Sequence, residues 1–568
     1  MTARHWRWWW AGCAALVFVL ALAARWRWGA TQEGPSFQPR PDALEYAASA
    51  QALAQSGKFY LQVGPVQARP RYSPGWPALV AAALEVGVDP WQAWRLTGLL
   101  GAVLAVLLAG AARRTVLLLR GGAGAGPAVQ AAGLAAGLLA GTGWALAPGA
   151  VTVGRTLLSD EPTALAALSS LLLLIGALLR STTSPAGNPL PGAASLLEEP
   201  AAAASGAAGG GADRRAGTPE RGRRAPRPGP SVWYGAAGVA FGLTLAMRPV
   251  EGALLLPPEA LLLACAARKL ALARPSHTSS TAAAPAGVNR WRRAALPVLA
   301  WCAGAALPAA LTAGILLHSG LPPLPWSGYA FWSPAQRQDF SWRYALAGYP
   351  ELTADGRAES YLGLAARALL GLPGVSWDWY LGRFWPMLGW LAAPWLWLSA
   401  RRAGRRGDGS AAALAWAVAA LVSWALCRMA LMASYYFPAG RFYLPAHAVP
   451  LLCLAAACGL AACGPRRWLR PAGYGTAAAL LAVMAFDFRA FRRDIEPGEP
   501  PERIYRRFNR WIQLDDKERA AQQVPFDPLY AQALGLLDPE IVADIRQWGE
   551  LPPTFHVLRL RRKGLLPP

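Results

Sequence analysis

The chain has 568 residues, of which 54% are hydrophobic and 15% charged, with 27 Trp and a formal net charge of +23. So few charges cannot cover a soluble protein of this size, and long Ala/Leu/Val runs recur, each able to cross ~30 Å of hydrocarbon. The excess Lys and Arg sit between apolar runs, which points to membrane orientation and excludes a nucleic-acid partner.

Taken in chain order, the apolar runs predict eleven spans. The start "MTARHWRWWWAGCAALVFVLALAA" is basic and then apolar, like a signal peptide, and reads as an uncleaved first span over 8–24. Residues 25–90 form a first outer loop, and spans follow at 91–112, 127–146 and 161–179. Residues 181–230, rich in Ala, Gly, Pro and Arg, read as a disordered cytoplasmic loop. Spans at 232–246, 250–267 and 294–317 lead to a Trp-rich outer loop at 318–385. The last four spans are 386–400, 411–432, 444–462 and 471–486. The transmembrane module is thus 1–486, and 487–568 reads as a small exterior C-terminal domain.

Five basic clusters fall on one side of this arrangement: Arg113, Arg114 and Arg120; Arg214 through Arg227; Arg268 through Arg293; Arg401 through Arg406; and Arg466 through Arg470. Anionic lipid head groups are their expected partners. Arg25, Arg27, Arg489, Arg492 and Arg493 run against the rule, on the outer side. The seven Cys lie in or beside apolar runs without CxxC or Cys/His spacing, and read as small packing residues.

An acid at membrane depth costs about 2.5–3.5 kcal/mol, so acids beside spans need a reason. Four polar groups gather at the outer face. "PDALEYAASAQALAQSG" places Asp42, Glu45 and Tyr46 in the first turns of one helix, where helix capping is the simplest explanation. "RPRYSPGWPALVAAAL" places Arg69, Arg71, Tyr72 and Trp76 around a Pro-Gly turn, as interfacial anchors or as a sugar or phosphate site. "GRTLLSDEPTALAAL" puts Asp160 and Glu161 before Pro162 at a helix start. Arg248 in "AMRPVEG", with Glu251 as a local ion partner, and Arg441 with Tyr443 in "AGRFYLPAHAVP" complete the set. Arg grips phosphate oxygens, aromatic rings stack on sugars, and a carboxylate takes a proton from an attacking hydroxyl.

In these segments, and over about the first 465 residues, the chain resembles the GT-C superfamily of polytopic glycosyltransferases. It is most similar there to bacterial members akin to protein O-mannosyltransferases and the lipid A aminoarabinose transferase, the family 39-like group. The resemblance implies an all-α polytopic transmembrane bundle with a large first outer loop. It implies transfer of a sugar from a polyprenyl-phosphate donor to a glycan, lipid or protein acceptor hydroxyl, with inversion, at the outer face. It makes Asp42 the catalytic acid, with Asp160 or Glu161 as the second acid. Arg69, Arg71, Arg248 and Arg441 would hold the donor phosphate. Tyr46, Tyr72, Trp76 and Tyr443 would contact sugar or lipid. A divalent metal between Asp42 and Asp160 stays open, since no ligand set is evident. The expected location is the inner (plasma) membrane of a bacterium, multi-pass, with the active site on the periplasmic or extracellular side. The competing class is a transporter or flippase of a lipid-linked sugar, for which Glu259, inside an expected span, is the suitable residue.

Overall fold

A computed structural model of the chain describes residues 3–28, 41–63, 66–68, 70, 72–89, 92–120, 125–183, 230–272, 286–324, 341–347, 360–375, 381–405, 408–435, 440–464 and 466–494. Most of the expected 181–230 loop, much of the 318–385 loop and everything after 494 lie outside the described residues.

Eleven long helices, among the described residues, correspond one for one to the expected spans. Helix α1 is Ala3–Ala23, extended by a π-helical turn, Ala24–Trp28. After it come α2 (Pro41–Ser56), a two-stranded antiparallel hairpin of β1 (Leu61–Val63) and β2 (Val66–Ala68), and α3 (Gly75–Glu85). Among the described residues this hairpin is the one sheet in an otherwise helical bundle. The bundle continues with α4 (Trp94–Arg120), α5 (Pro127–Ala145), the short α6 (Pro148–Val153), α7 (Asp160–Thr183), α8 (Pro230–Met247), α9 (Pro249–Leu272) and α10 (Ala286–His318). Two short helices follow, α11 (Trp342–Ala347) and α12 (Tyr361–Leu370). The last four are α13 (Trp385–Arg405), α14 (Gly409–Ala433), α15 (Leu444–Ala462) and α16 (Leu469–Asp494). Eight of the eleven are long and apolar enough by themselves to cross a membrane. The chain is a multi-pass membrane protein.

Burial sorts these helices into layers. The central helices α7 and α15 are buried over 78% and 89% of their apolar windows, whereas α1 and α10 are buried over only 17%, which puts the latter two against lipid. Helix α7 packs on α4, α8, α9 and α14, and α15 packs on α5, α13 and α16. Small residues permit a close crossing between α8 and α10. There a Cβ at Gly238 would overlap the Trp301 carbonyl, and one at Gly304 would overlap that of Gly235.

The last helix runs through Asp494, past the expected span end at 486. Within the added stretch, Asp487 Oδ2 accepts from the Arg383 backbone N–H at 3.0 Å, tying α16 to the turn before α13.

Candidate functional site

One end of the bundle gathers the polar side chains. It is the end where α1 finishes, α7, α9 and α15 begin, and α2 lies across. The segment between α1 and α4 is seated there by a close approach. Ser73 Oγ donates to the Ala246 carbonyl at the end of α8, and a Cβ at Gly75 would overlap that same carbonyl. The "SPGW" turn therefore needs glycine at its third position. Trp76, fully buried, donates its indole N–H to the Leu157 carbonyl at 3.3 Å and ties α3 to the segment before α7.

This docking brings α2 beside the start of α7. The Tyr46 hydroxyl and Ser159 Oγ are 2.9 Å apart, and Ser159 Oγ accepts from Arg248 Nε at 2.9 Å. Arg248 also places Nη1 2.9 Å from Asp160 Oδ1. Asp160 is fully buried, but the Arg248 side chain is 17% exposed, so the pair has an open side. The rings of Tyr46 and Tyr72 stack, tilted, with centroids 4.7 Å apart. Arg248 and Arg441 approach the same ring, Phe442, at 5.8 and 5.2 Å from its centroid. Two cations thus converge on one aromatic at the start of α15, next to a carboxylate, a hydroxyl and two stacked tyrosines.

A second ion pair underlies this cluster. Arg428, inside α14, pairs with Glu251 and donates from Nε to the Phe442 carbonyl at 2.7 Å. This corrects the expectation of a local Arg248–Glu251 pair, because Glu251 has Arg428 as its ion partner and Arg248 has Asp160. Arg428 was missing from the sequence reading, although a lone charge in "SWALCRMALM" was a usable signal. In "GRFYLP" the ring that both cations reach is Phe442, next to Tyr443. Tyr443 is fully buried against Ala365 and Met432.

Glu161 differs from its neighbour Asp160. It pairs with Arg25 at 2.6 Å, and both side chains are fully buried. Arg25 donates to Glu161 from Nε as well as Nη2, and Nη1 donates to the carbonyls of Ala21 and Ala145, both at 3.3 Å. Gly101 and Gly154 wall the pair so closely that a Cβ at Gly101 would overlap Glu161 Oε2. The π-helical turn after α1 carries Arg25 into this slot. Of the two alternatives for a second acid, Asp160 faces the cluster and Glu161 is sealed from it.

Asp42 stands in the first turn of α2, and its side chain is outside the described residues, as are Arg69 and Arg71. Glu45 is buried on the inner face of α2. Among the described residues no group of three His, Cys, Asp or Glu side chains could hold a metal ion. The described carboxylate closest to such a role, Asp160, already has a guanidinium as its counter-ion. Glu259 is buried in α9, where Oε2 accepts from the Trp301 indole at 2.8 Å, on the side facing α10.

No protein-family model matches the chain, and no curated protein matches it. Among solved structures, it is similar to the archaeal oligosaccharyltransferase AglB from Archaeoglobus fulgidus, in complex with an inhibitory peptide and a dolichol-phosphate, at 12% identity and a TM-score of 0.44. That match covers 87% of this chain and 56% of the other, so the chain spans little more than half the length of that protein. It is also similar to ArnT from Cupriavidus metallidurans bound to undecaprenyl phosphate, at 14% identity and a TM-score of 0.41, covering 94% of this chain and 81% of that one.

Proposed function

We propose that the chain is a GT-C-type membrane glycosyltransferase that moves a sugar from a polyprenyl-phosphate donor to an acceptor hydroxyl. The observation that carries this reading is the half-open Asp160–Arg248 pair, set among Ser159, Tyr46, Tyr72, Phe442 and Arg441 at one end of the bundle. Arg248 and Arg441 offer two guanidiniums for one phosphate, and the aromatic rings offer faces for a sugar. The donor's tail stays in lipid, so its phosphate meets a site at the membrane boundary.

The reaction is a single displacement. The acceptor oxygen forms a bond to the anomeric carbon as the bond from that carbon to the phosphate oxygen breaks. The electron pair leaves with the polyprenyl phosphate, whose growing negative charge Arg248 and Arg441 offset. The acceptor's proton passes to the Asp42 carboxylate, and the anomeric configuration inverts. Asp160 positions Arg248. Arg69 and Arg71, in the loop ahead of the "SPGW" turn, are assigned to the same phosphate. A divalent ion, if used, would be held through Asp42.

The proposed setting is a bacterial inner membrane with the cluster on the periplasmic side and 487–568 as an exterior domain. The test uses purified protein in nanodiscs with a radiolabelled mixture of polyprenyl-phosphate sugars and membrane extract as acceptor. Donor turnover by wild type that collapses in Asp42→Asn, with donor binding kept, supports a transferase. Intact donor in both removes the enzyme claim for those sugars, and movement of intact donor across the bilayer favours a transporter.

A further inference from the structure

The opposite end of the bundle holds a cavity of about 400 Å³ between α4, α7, α14 and α15, well within the 300–1,000 Å³ range of small-molecule sites. Its walls are apolar, with Leu107, Leu172, Val418 and Cys453 among them, and Arg114 and Trp233 also line it. Arg180 stacks on the Trp233 ring at 3.5 Å, and Arg114 is within electrostatic reach of Arg180. Two guanidiniums and an indole thus stand where an apolar cavity meets the bundle end.

The cavity lies far from the polar cluster. Arg180 is twenty residues along α7 from Asp160, about 30 Å at 1.5 Å per residue, which is the thickness of the hydrocarbon layer. The Lys/Arg distribution assigns this end to the cytoplasm. A ligand here has an apolar body at bilayer depth and an anionic head at the inner surface.

We propose that this cavity is a binding site for an anionic phospholipid of the inner leaflet, with an acyl chain in the cavity and its phosphate on Arg114 and Arg180. Basic pockets between transmembrane helices on the cytoplasmic side hold acidic head groups by the same physics. The donor's tail is the other hydrocarbon within reach. The charges favour the phospholipid, because a polyprenyl chain descending from the far end would bring hydrocarbon, not an anion, to the two arginines.

The experiment is native mass spectrometry of the full-length protein reconstituted with phosphatidylglycerol or phosphatidylcholine and then stripped with detergent. Wild type is expected to retain one phosphatidylglycerol in preference to phosphatidylcholine. Arg114→Gln with Arg180→Gln is expected to lower that retention on the order of tenfold. Ala417→Phe, which fills the cavity from α14, is expected to abolish it with both arginines in place. Equal retention of the two lipids, undiminished retention in the double arginine variant, or displacement of phosphatidylglycerol by undecaprenyl phosphate would each overturn the proposal.

Discussion

Asp160 and Glu161 are adjacent in sequence, and each has an arginine partner, yet the two pairs are built for different purposes. Arg25–Glu161 is sealed: both side chains are fully buried, every nitrogen of the guanidinium has a nearby oxygen, and two glycines close the walls. Asp160–Arg248 has one buried and one partly exposed member, and it opens onto aromatic rings and a second cation. On a helix, neighbouring residues point about 100° apart. Two acids side by side therefore serve two environments, one closing the bundle and one facing its end. A buried ion pair holds a structure chiefly because breaking it leaves an uncompensated charge, whereas a half-open pair can exchange its partner for a ligand.

The comparison can be broken by substitution. Glu161→Gln leaves Arg25 charged in a dry slot and is expected to cost about 3–5 kcal/mol of folding stability, read as a large drop in the thermal unfolding midpoint in detergent. Arg25→Met combined with Glu161→Met should recover most of that loss, because it removes both charges together. Next, Arg248→Lys, which keeps a cation beside the buried Asp160 carboxylate but loses the planar guanidinium fork, is expected to lower donor turnover about tenfold or more, with a far smaller change in the unfolding midpoint. A fall in stability as large as that of Glu161→Gln would make Arg248 structural.

Gly101→Ala comes third. Its Cβ meets the sealed pair, and the expected cost is about 1–3 kcal/mol of stability with per-molecule turnover kept in the folded fraction. The smallest effect is expected from Tyr46→Phe, which keeps the stacked ring and removes one hydrogen bond to Ser159. About 0.5–1.5 kcal/mol is at stake, seen as a less than about tenfold fall in turnover.

The spans were legible because twenty-residue apolar runs and Lys/Arg asymmetry are strong one-dimensional signals. Partners were less so. Arg25 was visible as a charge on the wrong side of its span, and that anomaly was the mark of its burial against Glu161. Arg428 was visible as a charge inside a span, but nothing local tied it to Glu251, 177 positions earlier. The hairpin of β1 and β2 went unread, because three-residue strands carry too little alternation to register beside apolar helices, although Gly64-Pro65 between them is a turn signal. The polar segments that gather at one end of the bundle were all visible. Which of their side chains meet depends on how α2 and the "SPGW" turn dock on α7 and α8, and that is set by distant packing.

The most direct measurement is the dissociation constant of a polyprenyl phosphate for detergent-solubilised Arg248→Gln, taken beside wild type and the Arg25→Met/Glu161→Met double variant. If the open pair grips the donor phosphate and the sealed pair only holds the bundle, Arg248→Gln weakens binding about tenfold or more, as loss of a charged hydrogen bond does, and the double variant binds as wild type. Unchanged affinity in Arg248→Gln, or weakened affinity in a well-folded double variant, would contradict that division of roles.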